Sequence, residues 1–295
     1  MRILITGASG LLGSKLVELS IKKGYEVYSG FYGHKPSDGF PVRVDVSDRN
    51  SVEKTFKIAK PDVVIHAAAL TNVDKCEVDK ELAWSINVVG TKNIVEQSKK
   101  FEAFLIYVST DYVFDGEKGM YKETDDPNPI NYYGLTKLEG EKIVADTLDD
   151  YCIVRSSVIY GARPASGKIN FALWVIKQLK NGKTINIVTD QYVSPTLNTN
   201  LAEMILEIAE RRLTGIYHLA GATRISRYEF ARLIAETFNL SSTLIAPIKM
   251  NTLKWIAKRP RDSSLNVSKA KNDLHNPPLE IEDALKKLKE ELRVK

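Results

Sequence analysis

The opening thirteen residues constrain the fold more than any other stretch. Residues 2–6 (RILIT) are a short apolar run, and Gly7-Ala8-Ser9-Gly10-Leu11-Leu12-Gly13 follows at once. Leu12, Leu16 and Leu19 then recur at helical spacing up to a stop at Lys23-Gly24. The order is strand, glycine turn, helix. A bare glycine triplet is an ordinary tight turn. Set between a strand and a helix, it reads as a cradle for a diphosphate, made of Gly7, Ser9, Gly10, Leu11, Leu12 and Gly13. Glycine permits close backbone approach, and the first turn of a helix offers free N–H groups to an anion.

The same alternation continues. Glu26 to Phe31 reads as a second strand. A dinucleotide site expects an acid near its end, bonding the ribose diol. Here the chain reads Gly30-Phe31-Tyr32-Gly33-His34-Lys35, with two potentially basic side chains and no acid. This favours a 2′-phosphate, hence NADP over NAD, with NAD still open; otherwise His34 and Lys35 merely decorate a loop. Val42 to Val46 is a third short strand, with Asp45 and Val46 flanking the adenine. Val52, Phe56 and Ile58-Ala59 suggest a helix. Asp62 to His66 is apolar without alternation, as a parallel strand covered on both faces should be. After it, Ala67, Ala68 and Ala69 either let a cofactor lie against backbone or fill a core corner. Glu81 to Lys100 reads as one long helix with Trp84, Ile86, Val89, Ile94 and Val95 inward and Asn87 as a core polar tie. Phe104 to Val108 then delivers Ser109-Thr110-Asp111.

Strands alternating with helices imply an α/β fold with a doubly wound parallel sheet, the Rossmann arrangement. Ligands of such sheets sit beyond the carboxyl ends of the strands. Residues 1–157 are expected to form this domain, with parts of 185–222 joining it. Residues 158–295 are expected to form a smaller, discontinuous substrate lobe, entered through a flexible loop at 161–167.

Tyr133 and Lys137 stand four apart in Asn131-Tyr132-Tyr133-Gly134-Leu135-Thr136-Lys137. On a helix they share one face. A phenol there can give or take a proton, and a neighbouring ammonium lowers its pKa from roughly 10. Thr110 adds a hydroxyl from a strand end. Together they could hold a carbonyl oxygen while a hydride reaches its carbon. Alone, such a pair is most often a helix face with a solvated lysine. Here the glycine turn, Ala67–Ala69 and Thr110 converge on the same sheet edge.

The totals narrow the class. Hydrophobic residues make up 43% and charged ones 27% of 295, as in a soluble globular protein. No apolar run approaches the roughly 18 residues of a membrane span. Residues 1–5 run straight into the glycine turn, so no signal peptide is expected. Cys76 and Cys152 form no metal-spaced cluster, which favours a metal-free protein in a reducing cytoplasm. Net charge is +5 without a basic block; Lys286, Lys287 and Lys289 beside Glu290 and Glu291 read as a solvated helix face. Neither nucleic acid nor a membrane is an expected partner.

Three motifs carry a family resemblance: Thr-Gly-Ala-Ser-Gly-Leu-Leu-Gly at 6–13, Ser-Thr-Asp-Tyr-Val-Phe-Asp-Gly at 109–116 and Tyr-Gly-Leu-Thr-Lys-Leu-Glu-Gly-Glu at 133–141. With them the chain resembles an extended short-chain dehydrogenase/reductase. Within that superfamily it is most similar to the dTDP-4-dehydrorhamnose reductase family. The segments 71–77 (T-x-V-D-x-x-E), 190–196 (D-Q-x-x-x-P-T) and 259–266 (R-P-x-x-S-x-L-N) also match that family.

The resemblance implies hydride transfer from NADPH to the C4 ketone of a nucleotide-linked 6-deoxyhexose, turning dTDP-4-dehydro-L-rhamnose into dTDP-L-rhamnose. It implies that Tyr133 donates the proton, Lys137 holds the nicotinamide ribose and tunes Tyr133, and Thr110 bonds the substrate oxygen. It places Phe31, Tyr32, Thr71 and Val108 on the cofactor, and Asp111, Val158, Asn170 and Arg259 on the substrate. After Arg155-Ser156-Ser157 the family commonly carries a Trp that packs on the sugar; Val158 stands here. The chain also resembles the regulatory β-subunit of methionine adenosyltransferase, in 10–13, 104–107 and 259–261. A non-catalytic NADP-binding subunit is therefore the alternative, although 71–77 follows the reductase pattern. A dehydratase fits less well, because Tyr112 follows Asp111 where an acid is needed. An epimerase would use the same Thr, Tyr and Lys. The resemblance leaves a homodimer open.

Overall fold

The computed structural model describes residues 1–164 and 169–293. The chain begins with β1 (Arg2–Thr6), α1 (Leu11–Lys22), β2 (Glu26–Phe31), β3 (Phe40–Arg43), α2 (Arg49–Ala59) and β4 (Val63–His66). Next come α3 (Val73–Val78), α4 (Lys80–Trp84), a π-helical turn (Ser85–Val89), α5 (Gly90–Lys100), β5 (Phe104–Thr110), α6 (Tyr132–Thr147) and β6 (Tyr151–Ser156). Then follow β7 (Ile159–Tyr160), α7 (Phe171–Lys180), β8 (Ile185–Val188), β9 (Tyr192–Val193), β10 (Thr196–Leu197), α8 (Asn198–Arg211) and β11 (Gly215–His218). The last elements are β12 (Ile225–Ser226), α9 (Arg227–Thr237), β13 (Ile245–Ile248), α10 (Ser268–Asp273) and α11 (Ile281–Arg293).

Seven strands form one sheet in the order β11-β6-β5-β4-β1-β2-β3, and every pairing in it is parallel. Thr6 at the end of β1 stands level with Gly30 on one side and His66 on the other. The chain leaves β1 towards β2 and later returns on the opposite side through β4. The strand order therefore reverses at β1, and a crevice opens beyond its carboxyl end. The expected doubly wound sheet is present.

Apolar residues cover both faces, which is why β4 (VVIH) is buried throughout. On one face Leu12, Leu16 and Val17 of α1 pack with Leu201, Ile205 and Ile208 of α8. On the other, α2, α5 and α6 bring Phe56, Ile94, Val95 and Val144. A separate cluster joins α7, α9 and α11 through Val175, Phe230, Ile234 and Leu285. Of residues 185–222, β11 pairs with β6 in the main sheet, whereas β8 pairs with β13 apart from it.

Two local expectations need correction. The third strand is Phe40–Arg43 rather than 42–46; Asp45 accepts from the Ser47 N–H and hydroxyl, and this turn ends the pairing. Residues 80–100 are interrupted by the π turn, which inserts an extra residue and rotates the helix face. Trp84 and Val89, expected inward, are consequently 39% and 38% exposed, and Ala83, Asn87 and Val88 take the buried positions. The loop expected at 161–167 is irregular over 161–164, and its remainder lies outside the described residues.

One ion pair lies in the interior beneath the sheet edge. Arg155 grips Glu141 through Nε (3.0 Å) and a terminal nitrogen (2.7 Å), and both side chains are almost fully buried. The Ser109 hydroxyl donates to the same carboxylate at 2.5 Å. Removing one partner leaves the other charge uncompensated. Glu141→Ala is therefore expected to cost about 3–5 kcal/mol of unfolding free energy in a urea titration. A loss below ~1 kcal/mol, the scale of an exposed pair, would refute the tie's importance.

Candidate active site

A cleft of about 750 Å³ runs along the carboxyl edge of the sheet. At one end it is lined by Phe31, Tyr32, His34, Asp45 and Val46. Its middle is lined by Gly7, Ser9, Gly10, Leu11, Leu12 and Gly13, facing Ala67, Ala68, Ala69 and Thr71. Its far end holds Val108, Thr110, Asp111, Tyr133, Lys137, Val158 and Asn170. The glycine turn has steric reasons. Gly7 has φ +70°, and a Cβ there would stand 2.9 Å from the Ala67 carbonyl. Gly10 precedes α1 without a side-chain cap, so the helix presents its first N–H groups to the cleft.

The α6 start is pinned from three directions. Asn131 caps it by accepting the Gly134 N–H at 2.9 Å, and its amide donates to the Lys258 carbonyl at 3.0 Å. Glu77 accepts the Tyr132 N–H at 3.0 Å. A Cβ on Gly134 would lie 2.1 Å from the Tyr112 carbonyl, so only glycine lets α6 press so closely on residues 111–113. Tyr133 is thereby brought to Thr110, with which it shares a hydrogen bond. Its ring meets Tyr112 edge-on, centroids 6.1 Å apart. Lys137 is buried, with Nζ 4.0 Å from the centre of the Tyr107 ring. Asn87 ties the neighbouring segments. It accepts the Leu70 N–H (2.8 Å) and donates to the Thr136 hydroxyl (3.0 Å).

Thr110 also donates to Asp111 at 3.0 Å. A hydroxyl has one proton, so with that proton on Asp111 the Thr110 oxygen is left to accept from the neutral Tyr133 phenol. Asp111 is held further by Ser157 (2.8 Å) and Ser263 (2.6 Å). Burial raises its carboxyl, while these three hydroxyls and the Arg227 charge oppose the shift.

The electrostatics reverse one expectation. Burial holds the Tyr133 phenol above its ordinary range; the Thr110 hydrogen bond acts against that shift and the Asp111 charge with it. The phenol is not lowered by its lysine in this state. Burial also pushes the Lys137 ammonium down to about 7, with Glu141 pulling it upward. Desolvation outweighs pair attraction when both groups lie in an enclosed wall.

The cleft gathers every residue expected at the cofactor and catalytic positions except Lys35, the second basic side chain read for the 2′-phosphate. On the substrate side it gathers Asp111, Val158 and Asn170 but not Arg259. Arg259 pairs instead with Asp74 at 2.9 Å and donates to the Ala257 carbonyl. Asn170 lines the cleft, yet it caps α7 at Leu173 and bonds the Gly161 carbonyl. Val158 has φ +35°, a strained setting for a β-branched residue. Its carbonyl accepts the Thr196 N–H at 3.1 Å. Tyr112, Val73, Leu82, Ile86 and Arg227 also line the cleft and were missed from sequence. Ile86 reads as an inward helix position, and Tyr112 and Val73 stand in the motifs at 109–116 and 71–77 with no site role of their own. Arg227 sits inside a Ser226–Glu229 capping box, a helix-start signal that hides any other role.

The cleft holds no group of three or more His, Cys, Asp or Glu arranged for a metal ion among the described residues. Among the described residues no helix is long and apolar enough to cross a membrane.

Sheet order and crevice define a Rossmann-type α/β protein. The family model for the RmlD substrate binding domain matches residues 1–294, and the chain belongs to that family. A Haloferax volcanii protein, the probable low-salt glycan biosynthesis reductase Agl14, is 36% identical over 288 residues, spanning 97% of this chain and 96% of its own. The dTDP-4-dehydrorhamnose reductase of Bacillus anthracis, solved in complex with NADP, superposes with a TM-score of 0.88 at 32% identity, covering 98% of this chain and 99% of that one. The β subunit of methionine adenosyltransferase 2 from Bos taurus is 34% identical over 274 residues, 91% of this chain and 81% of its own.

The buried lysine carries a stability consequence. Its folded pKa of about 7 lies below the ordinary 10.5, so between these values the unfolded chain binds the proton more tightly. Stability from this group therefore rises with pH across that window and is lowest below it. Lys137→Met removes the cost. The ligand-free variant is expected to melt several degrees higher than the parent at pH 6–7, with the gap closing as pH approaches 10.5. A variant that melts lower than the parent at pH 6 in calorimetry would show that Lys137 is not held against its charge.

Proposed function

We propose that the chain is an oxidoreductase that reduces the C4 ketone of a nucleotide-linked 6-deoxyhexose with NADPH, converting dTDP-4-dehydro-L-rhamnose to dTDP-L-rhamnose. The carrying observation is that Thr110, Tyr133 and Lys137 occupy one end of the same cleft whose middle is the glycine turn. The cleft fits a dinucleotide: the Gly7 cradle would be filled by any Cβ, and the α1 N-terminus has no side-chain cap. The RmlD family membership and the NADP complex of the Bacillus anthracis reductase support this reading.

When bound, the reduced nicotinamide supplies a hydride to the carbonyl carbon. The chain does the rest. Tyr133 holds the ketone oxygen by one hydrogen bond, and Thr110 adds a second when its hydroxyl turns from Asp111 to that oxygen. Tyr133 keeps its proton at neutral pH, because burial favours the neutral phenol, and releases it to that oxygen as negative charge develops there. Lys137, protonated, stabilises the phenolate that remains until water restores the proton. Asp111 is a positioning residue: its carboxylate orients the Thr110 hydroxyl rather than reaching the sugar. The elements around α7, α9 and α11 form the lobe that covers the sugar, with Val158 leaving room where an aromatic ring would stack.

The alternative, a non-catalytic NADP-binding subunit, rests on the likeness to the methionine adenosyltransferase β subunit. It accounts for the glycine turn and leaves the proton-donating end of the cleft without use.

Tyr133→Phe is expected to lower turnover by ~10²-fold or more while leaving NADPH affinity unchanged, as loss of a general acid should. Near-parental turnover in an absorbance assay of NADPH removes Tyr133 from the chemistry; tight NADP binding without turnover in the parent protein itself favours the alternative. His34 and Lys35 to Ala should narrow the NADP-to-NAD preference. An unchanged ratio of dissociation constants would sink the assignment of that loop to the 2′-phosphate.

A further inference from the structure

Arg227 is the first residue of α9, and it lines the far end of the cleft. A cation at that place runs against the helix macrodipole, whose N-terminal end is itself positive. The guanidinium lies over the Phe171 ring, 5.3 Å from its centre. One of its N–H groups bonds the Tyr112 hydroxyl. Its Nε is buried and has no hydrogen-bond partner among the described residues. The acid that feels its charge is Asp111, but the Asp111 oxygens accept from Thr110, Ser157 and Ser263. Two sources of positive potential thus meet at one wall, and the donor that would use them is idle.

Position excludes the cofactor as its ligand. The glycine turn and the α1 N-terminus serve a diphosphate at the middle of the cleft. Arg227 stands beside Tyr112, the ring that touches Tyr133. An anion here belongs to the molecule being reduced.

We propose that Arg227 is the anion subsite of the substrate end, its guanidinium turning its unpartnered N–H toward an anionic oxygen of the substrate. The inference rests on the reading of the cleft as a nucleotide-sugar site. In the proposed 6-deoxyhexose substrate such an oxygen comes from the diphosphate joined to the sugar; a carboxylate on the sugar ring would mean a different sugar. The planar fork of Arg suits either one in a bidentate way, and Lys keeps the charge without the fork.

Calorimetry on the full-length protein with saturating NADP tests the assignment, using Arg227→Gln and Arg227→Lys beside the parent. The probes are dTDP, thymidine, and a nucleotide sugar carrying a C6 carboxylate. With the diphosphate as source, Arg227→Gln weakens dTDP by ~10-fold or more, the scale of one charge-assisted hydrogen bond. Thymidine binding and NADPH affinity stay unchanged, Arg227→Lys falls between, and KM for the keto sugar rises with kcat nearly constant. With the carboxylate as source, dTDP binding is unchanged and only the carboxylated sugar is weakened. The proposal is overturned if neither probe is weakened, if the parent binds neither, or if the loss falls on NADPH. A parent protein that binds dTDP through Arg227 yet reduces no keto sugar would sink the reductase assignment and leave the subsite standing.

Discussion

Everything at the working end of the cleft depends on one buried carboxylate. Asp111 receives hydroxyls from Thr110 on β5, Ser157 beyond β6 and Ser263 in the C-terminal segment. A carboxylate excluded from water must be bonded or lose its charge, so the three hydroxyls hold it as firmly as it holds them. Segments more than 150 residues apart (111 to 263) are thereby fixed to one point. Tyr133 inherits its position from this point through Thr110, and α6 can come close only because Gly134 has no side chain.

The parts legible in the sequence are those whose cause is local. An apolar run before a glycine turn, and a helix after it, specify β1, the cradle and α1 without reference to anything distant. The Tyr133–Lys137 spacing is likewise internal to one helix. What the sequence hid depends on partners far along the chain. Arg259 looks like a ligand for an anion until Asp74 is seen to claim it. Arg227 looks like a helix-start residue until the fold sets it in the cleft. The π turn was not read from the sequence; within it Asn87 reaches Leu70 and Thr136 at once. The lysine's depressed pKa was missed for a related reason. Pair attraction shows in a motif, whereas desolvation depends on how much protein surrounds the pair.

The cleft keeps two cations, Lys137 and Arg227, in surroundings that disfavour charge. Neither arrangement suits the ligand-free protein. Both suit a protein whose ligands are anionic, since a bound anion restores the solvation that folding removed. Stability and ligand affinity therefore pull against each other at these positions, as at many functional sites. Other cations are placed differently: Arg155 is neutralised inside by Glu141, and Lys287 by Glu203 nearer the surface.

The seam between β6 and β11 has a consequence for biosynthesis. Strand β11, residues 215–218, pairs with β6 only after β7, α7, β8, β9, β10 and α8 have intervened. On a ribosome the six earlier strands can dock in turn, yet β6 waits with a bare polar edge while the intervening segment emerges. During that interval the nascent chain is an open template for a neighbouring polysome product. The late arrival of four residues, rather than the glycine turn that begins the fold, completes the sheet and moves its edge from β6 to β11.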